Sequence, residues 1–249
     1  MEQSLGFAHF IAQTDMVSKI VLILMLLLSL ASWYLIVTKQ LQHVQSQHRN
    51  RAFLTDFWRA ESIDHAVLPA AGDAADNAFA RLAREAIKAA HKNRQGKQSL
   101  AAAGGLNEYL TRVLRNGIEQ ETARAEHGLT LLASAGSSAP YIGLLGTVWG
   151  IYHALVAIGL AGQGTLDKVA GPVGEALIMT ALGLAVAIPA VLAYNYFHRR
   201  NRVLIASLEA FAHDLITLLT VESDDTAAQH NAASDVVAAR TRRAALAVN

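Results

Sequence analysis

The most informative polar side chain in this sequence is Glu175, because it is the only charged residue between Val169 and Phe197. An apolar run of that length is typical of a membrane-spanning helix, for which about 20 residues suffice. A carboxylate near the centre of such a helix costs roughly 2.5–3.5 kcal/mol on insertion scales and often marks an ion path. We therefore predict that Glu175 handles protons; the alternative is a carboxylate that reaches water at the membrane edge.

Two hydroxyls and one imidazole accompany this carboxylate in apolar surroundings. Thr147 and Thr180 are expected at a depth similar to that of Glu175 if their helices are antiparallel neighbours, although each hydroxyl could instead bond to a carbonyl four residues earlier. Thr180 lies about 140° around the helix from Glu175, so we expect it at the flank, against a second-span helix. His153 could titrate near neutral pH, but we expect a hydrogen-bonded interfacial histidine.

Small residues line the second apolar segment. Gly143, Gly146 and Gly150 would let helix backbones approach closely, although a single GxxxG motif is a weak signal. In the third segment, Pro189 should kink the helix because it frees the carbonyl of Ala185. Helix packing explains all four residues.

The elements that must position these side chains are three apolar segments of membrane length. Hydrophobic residues make up 53% of the 249 residues and charged residues 16%, against roughly 25% charged in typical globular chains. The segments are Met16–Thr38, Gly128–Leu166 and Val169–Phe197. The first carries no signal-peptide pattern and is interpreted as a retained anchor. We predict an all-α integral membrane protein with three transmembrane helices and long cytoplasmic helical extensions.

The Lys and Arg residues that flank the spans, such as Lys39, Arg124 and Arg199, fall on one side of the predicted membrane. The positive-inside rule then places the N-terminus outside and the C-terminus in the cytoplasm. Aromatic residues at the cytoplasmic ends of the spans, such as Trp33 and Tyr194, agree with this orientation.

Between the first two spans we predict a cytoplasmic helical domain. Asp76-Asn77 could cap a helix that runs through Asn93 and carries one apolar stripe. A further helix from about Leu106 is expected to run straight into the second span. The predicted segments are a periplasmic terminus (1–15), first span (16–38), cytoplasmic domain (39–127), second span (128–160), periplasmic loop (161–170), third span (171–197), cytoplasmic helix (198–221) and mobile tail (222–249).

The residues exclude several other functions. There is no cysteine, and no metal-ligand spacing, phosphate-binding glycine loop or catalytic triad spacing is present. A net charge of +1 gives no basic field for nucleic acid. We expect neither an enzyme nor a metal or cofactor. Three spans enclose an aqueous path poorly, so we expect a homo-oligomer around a central path.

Two motifs carry a family resemblance. Ala139–Ile151 (APYIGLLGTVWGI) and Val169–Leu184 (VAGPVGEALIMTALGL), followed by AIPAV at Ala187–Val191, resemble the MotA/TolQ/ExbB proton-channel family. The combination of GTVWG with GEAL is specific, whereas the middle region carries little of the likeness. One departure is GPVG before Glu175, where relatives often have PGIA.

The resemblance implies a pentameric helical barrel in the bacterial inner membrane, with an ExbD-like single-span partner in its pore. Three spans and the Ala/Arg-rich tail are more similar to ExbB than to the four-span MotA. An ExbB role implies coupling of proton motive force, through TonB, to outer-membrane uptake of siderophores, haem or vitamin B12. Glu175 matches the family's pore carboxylate, and Thr147 and Thr180 match its pore threonines. A TolQ role in envelope constriction and a passive scaffold are the alternatives; an intramembrane enzyme has no supporting motif.

Overall fold

The computed structural model describes residues 16–60, 77–94, 105–161 and 166–246, and the side chains of 93–94, 161, 166–169 and 222–246 are not described. In these ranges the chain forms helices and no strand, which confirms the all-α class. The helices are α1 (Met16–Arg59), α2 (Ala78–Arg94), α3 (Gly105–Glu126), α4 (Leu129–Ala161) and α5 (Leu166–Leu246). The predicted periplasmic terminus, 1–15, lies outside the described residues.

Three helices are long and apolar enough to cross a membrane, as the sequence predicts: Met16–Arg59, Leu129–Leu160 and Ala170–Val221. The chain divides into two compact units. The membrane unit comprises Met1–Val44 and Glu126–Asn201, and the second unit comprises Gln45–Ala125 and Arg202–Asn249. Helices α1 and α5 contribute to both units.

In the membrane unit, α1 packs against α4 and α5. One buried cluster joins Val21 and Met25 of α1 to Ala139 of α4 and to Met179 and Ala187 of α5. A second cluster, formed by Leu129, Leu132, Ala135, Ala190 and Phe197, packs against Leu28, Leu35 and Ile36. As residue numbers rise along α1 and α5, the numbers of the α4 residues that they contact fall. Helix α4 therefore runs antiparallel to both. We call the two ends of this bundle the Met16 end and the Lys39 end.

The second unit has a conventional apolar core, in which aromatic and leucine side chains pack. Asn77 caps α2 as predicted, since its Oδ1 accepts hydrogen bonds from the amides of Phe79 (2.9 Å) and Ala80 (3.3 Å). The predicted stripe of α2 is buried throughout, which confirms its core role: Phe79, Leu82, Ala83, Ala86, Ile87 and Ala90. It packs with Leu110 and Leu114 of α3 and with Leu208, Phe211 and Leu215 of α5.

The junction of α3 and α4 differs from the prediction. The expected continuous helix is interrupted, because α3 ends at Glu126 and Gly128 adopts φ +81°, a left-handed conformation that glycine accepts without strain. A Cβ on Gly128 would also lie 3.1 Å from Leu35 Cδ2. No proline stands here, and the single glycine between the polar α3 and the apolar α4 is a weak signal for a break. Further on, α5 extends to Leu246 through residues predicted as a mobile tail; the mobility of that tail stays a prediction.

Candidate functional site

The backbones of α4 and α5 touch at a pair of glycines. A Cβ built on Gly143 would lie 2.6 Å from the carbonyl oxygen of Met179 and 3.0 Å from the Cα of Gly183. A Cβ built on Gly183 would lie 2.8 Å from the carbonyl oxygen of Ala139. These obstacles are backbone atoms, which cannot rotate away. The two helices can therefore meet this closely only with glycine at both positions.

Two more of the predicted packing residues, Gly146 and Gly150, lie along this α4–α5 contact, which we call the seam. A Cβ on Gly146 would lie 2.7 Å from Met179 Cε and 3.2 Å from Val21 Cγ1, so Gly146 admits side chains from α5 and α1. A Cβ on Gly150 would lie 3.0 Å from the Cβ of Ala176. Pro189 lies inside α5.

This close approach brings the two predicted threonines together. Thr147 Oγ1 lies 2.5 Å from Thr180 Oγ1, and the Thr147 hydroxyl is also within 3.1 Å of the Gly143 carbonyl oxygen and 3.2 Å of the Ala176 carbonyl oxygen. Thr147 is only 5% exposed. A hydroxyl has one hydrogen and two lone pairs, so Thr147 can donate to a carbonyl while accepting from Thr180, or donate to Thr180 itself. The pair is a short hydroxyl chain whose direction can reverse.

Glu175 lies beside this chain, on a different side of α5. Its neighbour Ala176 supplies the carbonyl next to Thr147, and Glu175 itself is half-buried. Successive helical residues are 100° apart, so Glu175 points about 140° away from Thr180 and about 40° from Met179. The carboxylate therefore shares the face of Met179, towards α1, while the hydroxyl chain occupies the direct α4–α5 contact. The structure brings the threonines together and leaves Glu175 at the edge of their seam.

His153 is half-buried near the Met16 end of α4. Its Nδ1 lies 3.2 Å from the carbonyl oxygen of Trp149, and its ring lies 4.5 Å from the Trp149 ring at 36° and 5.3 Å from the Tyr152 ring, edge on. This hydrogen bond lies within α4, so the interfacial position expected of His153 stays a prediction.

Sequence reasoning missed two features. Gly183 was not singled out, although it stands four residues from both Met179 and Ala187 on one helical face. In the second unit, Glu121 is buried between Arg81, whose Nε is 2.7 Å from Glu121 Oε1, and Arg124, whose Nη1 is 2.7 Å from the same oxygen. The spacing of Glu121 and Arg124 is a local signal, but nothing in the sequence indicates Arg81, forty positions away.

Metal chemistry has no candidate among the described residues, where no three His, Cys, Asp or Glu side chains converge. The second unit has a groove between α3 and α5, with an apolar floor that includes Leu114 and Ile216 and rims that carry Arg115, Glu119 and His213. Its polar groups are not arranged around a reacting centre, so the seam of the membrane unit remains the candidate site.

Comparison with known proteins shows the family of the chain. The profile of the MotA/TolQ/ExbB proton channel family matches residues 74–210, which include α4 and the apolar part of α5.

Individual relatives extend the similarity over most of the chain. The chain is 40% identical to the biopolymer transport protein ExbB of Xanthomonas campestris pv. campestris over 220 residues, covering 85% of this chain and 87% of the relative. It is 44% identical to ExbB of Neisseria meningitidis over 205 residues, or 82% and 92% of the two chains. Identity to the Tol-Pal system protein TolQ of Pseudomonas aeruginosa is lower, at 32% over 84% of this chain and 90% of the relative.

Proposed function

This chain belongs to the MotA/TolQ/ExbB proton channel family, and we propose that it acts there as the ExbB-type subunit, coupling proton motive force to TonB-dependent uptake across the outer membrane. The observation that carries the proposal is the seam of the membrane unit. It combines a half-buried carboxylate, Glu175, with a part-buried hydroxyl pair, Thr147 and Thr180. The chain is also more similar to the ExbB proteins of Xanthomonas campestris and Neisseria meningitidis, at 40–44% identity, than to TolQ of Pseudomonas aeruginosa, at 32%.

Glu175 is the proposed proton carrier and the two threonines its polar neighbours. A carboxylate in an apolar span can hold a proton when neutral and release it when solvated, which is what a stepwise path requires. One unit charge that crosses 100 mV releases about 2.3 kcal/mol, enough to bias a rearrangement of a partner. The glycine contact between α4 and α5 fixes the distance between the threonines and keeps the seam closed to lipid.

The proposed orientation has the Met16 end of the membrane unit facing the periplasm and the C-terminus in the cytoplasm of the bacterial cell. The support is the one-sided distribution of Lys and Arg around the spans. Aromatic side chains gather at the opposite, Lys39 end, where Arg200 lies 5.4 Å from the ring centre of Tyr196 and Tyr194 stacks on His198. Such amphipathic rings are typical of a membrane–water boundary.

The proposed assembly is a homo-oligomer, a pentamer on the family resemblance, with an ExbD-like single-span helix in its pore and TonB as the driven partner. Two features support an assembly. The membrane unit exposes many large apolar side chains, including Tyr141 (73%) and Leu192 (65%), and three spanning helices enclose an aqueous path poorly. The Tol-Pal role of TolQ is the competing function, and it is supported by the weaker similarity at 29–32% identity.

A complementation experiment tests the proposed function. A deletion strain that carries Glu175→Gln should fail to grow on an iron-siderophore as sole iron source, while native mass spectrometry shows normal assembly. Growth equal to that of the wild type, together with loss of envelope integrity, would replace the ExbB role by the TolQ role. Growth equal to that of the wild type with an intact envelope would overturn the proton-carrier role of Glu175 and favour a passive scaffold.

A further inference from the structure

His153 and Glu175 lie on the same side of the α4–α5 seam. Side chains of both Met179 and Val21 pack against Gly146. The face of α4 that carries Gly146 therefore points to the junction of α5 with α1. His153 is seven residues from Gly146 and therefore only about 20° away around α4. Glu175 is four residues from Met179 and about 40° away around α5. Both titratable side chains consequently point towards the junction with α1.

His153 and Glu175 also lie at similar depths along the helix axes. Gly146 and Met179 lie at one level. His153, later in α4, and Glu175, earlier in α5, both lie from there towards the Met16 end, because the two helices are antiparallel. His153 stands about 10.5 Å above that level and Glu175 about 6 Å, at 1.5 Å per residue. The two backbone positions therefore differ in depth by only about 4.5 Å along the helix axes, so the two side chains lie at similar levels. His153 lies further from the Gly146 level than Glu175 does.

The contacts of the imidazole indicate its tautomer. A carbonyl oxygen can only accept, so Nδ1 carries the hydrogen in the bond to Trp149, and Nε2 has the free lone pair of the neutral ring. The indole ring of Trp149 lies 4.5 Å from the imidazole, at an angle of 36°. The Trp149 indole N–H is buried with no hydrogen-bond partner among the described residues; such a donor favours a bound water.

We propose that His153 is a proton-relay residue that delivers protons from the Met16 end to Glu175; this inference rests on the proposed function. His153 Nε2 takes a proton from a hydronium ion at the Met16 end, which leaves a water molecule, and gives a proton to the Glu175 carboxylate, directly or through one water. The imidazolium returns to the neutral ring and the carboxylate becomes the carboxylic acid, so charge and protons balance. Histidine suits this step because its ordinary titration range lies between pH 5 and 8.

The other groups near this junction do not replace the histidine. Besides Glu175 on α5, the polar residues that the structure describes near this junction are Ser18, buried on α1, Lys19, exposed on α1, and Tyr152, 61% exposed on α4. The side chains of Asp15, Asp167 and Lys168 lie outside the described residues. Serine and tyrosine hydroxyls do not take up a proton in the range where histidine does. His153 is also the only histidine of α4, and the helix contains no Asp, Glu, Lys or Arg.

Proton flux in proteoliposomes tests the relay, using the complex purified from native membranes with the partners that accompany it. His153→Gln keeps a donor for the Trp149 carbonyl, and His153→Phe keeps an aromatic ring beside Trp149. Both variants should lower proton flux about tenfold. This effect is smaller than the 10²–10⁴-fold contribution that acid–base groups typically make in catalysis. Both variants should also weaken the dependence of proton flux on the pH at the Met16 end. Tyr152→Phe is the matched control and should retain wild-type flux.

The outcomes separate the two claims. If His153→Phe retains wild-type flux and pH profile, His153 only packs against Trp149 and the relay is overturned. If the His153 variants match the wild type while Glu175→Gln abolishes flux, the relay is contradicted and the proposed function is supported. If Glu175→Gln also retains full flux, both fall. Slower, pH-flattened flux in both His153 variants, with Tyr152→Phe unchanged, establishes the relay.

Discussion

The two units of this chain are both helical, but they are held together by different forces. In the membrane unit, helices meet through glycine and alanine, with backbone carbonyls close to Cα atoms, and large side chains such as Leu160 (85% exposed) point outward. In the second unit, Leu110 and Phe211 are buried in a conventional core. The difference follows from the solvent: lipid supplies no hydrophobic force between helices, whereas water does. Polar groups consequently stabilise the second unit, as capping and ion-pairing residues, and can carry function in the first.

The largest effect is expected from the core of the second unit. Leu110 is fully buried, so Leu110→Ala should lower the free energy of unfolding by about 2–5 kcal/mol through lost transfer energy and a residual cavity. Leu160→Ala, at an exposed position of the membrane unit, should leave stability unchanged in detergent. Thermal unfolding followed by circular dichroism measures both. Equal losses in the two variants would refute the contrast between the units.

A smaller effect is expected from the glycine contact. Gly143→Ala places a methyl group against the backbone of α5 and should destabilise the membrane unit by about 1–3 kcal/mol, the usual cost of overpacking. Gly159→Ala is the matched control, because nothing lies within 4 Å of its Cβ position. The readout is the temperature at which the detergent-solubilised complex loses its native mass. A Gly143→Ala variant as stable as Gly159→Ala would show that α4 and α5 do not require this contact.

The helix cap of α2 should contribute less. Asn77→Ala removes the acceptor for two backbone amides and should cost about 1 kcal/mol. Asn77→Asp retains that acceptor but loses the amide that donates to the Arg49 carbonyl at 3.1 Å, so its loss should be smaller. Chemical denaturation of the two variants measures both losses of stability. A larger loss in Asn77→Asp than in Asn77→Ala would show that Asn77 acts mainly through its hydrogen bond to the Arg49 carbonyl.

The smallest effect concerns pH at the Lys39 end. Burial, and then the positive charge of Arg200, lower the pKa of His43, whose ring meets Tyr196 edge on at 6.4 Å. The unfolded chain therefore binds more protons than the folded chain, so stability should fall as pH drops through the ordinary histidine value of about 6.5. His43→Gln should remove this part of the decline between about pH 7 and 5. The unfolding midpoint measured across that range checks it, and an unchanged slope would contradict the assigned cause.

Sequence alone predicts the parts of this fold that depend on local pattern. The three spans, the Asn77 cap and the buried stripe of α2 each follow from residues within one helix. The pairing of Gly143 with Gly183, and of Arg81 with Glu121, depends on which helix faces which, and a single sequence does not encode that partner choice locally. The break at Gly128 has a weak local signal, because helix-forming residues continue on both sides and one glycine alone separates the polar α3 from the apolar α4.

The candidate site divides in the same way. Glu175 is apparent from the sequence because a charge in an apolar run is conspicuous. Its separation from Thr180 around α5 follows from helical geometry. The 2.5 Å contact between Thr147 and Thr180 requires the register of α4 against α5, which the glycines set only once both helices are in place.

The most direct test of the central claim is proton flux through the purified complex in proteoliposomes, with Glu175→Gln compared with the wild type. Glu209→Gln, a carboxylate-to-amide change in the second unit, is the matched control. If Glu175 carries protons, Glu175→Gln reduces flux to the level of empty vesicles, while Glu209→Gln retains it and both complexes assemble normally. Wild-type flux through an assembled Glu175→Gln complex would contradict the account.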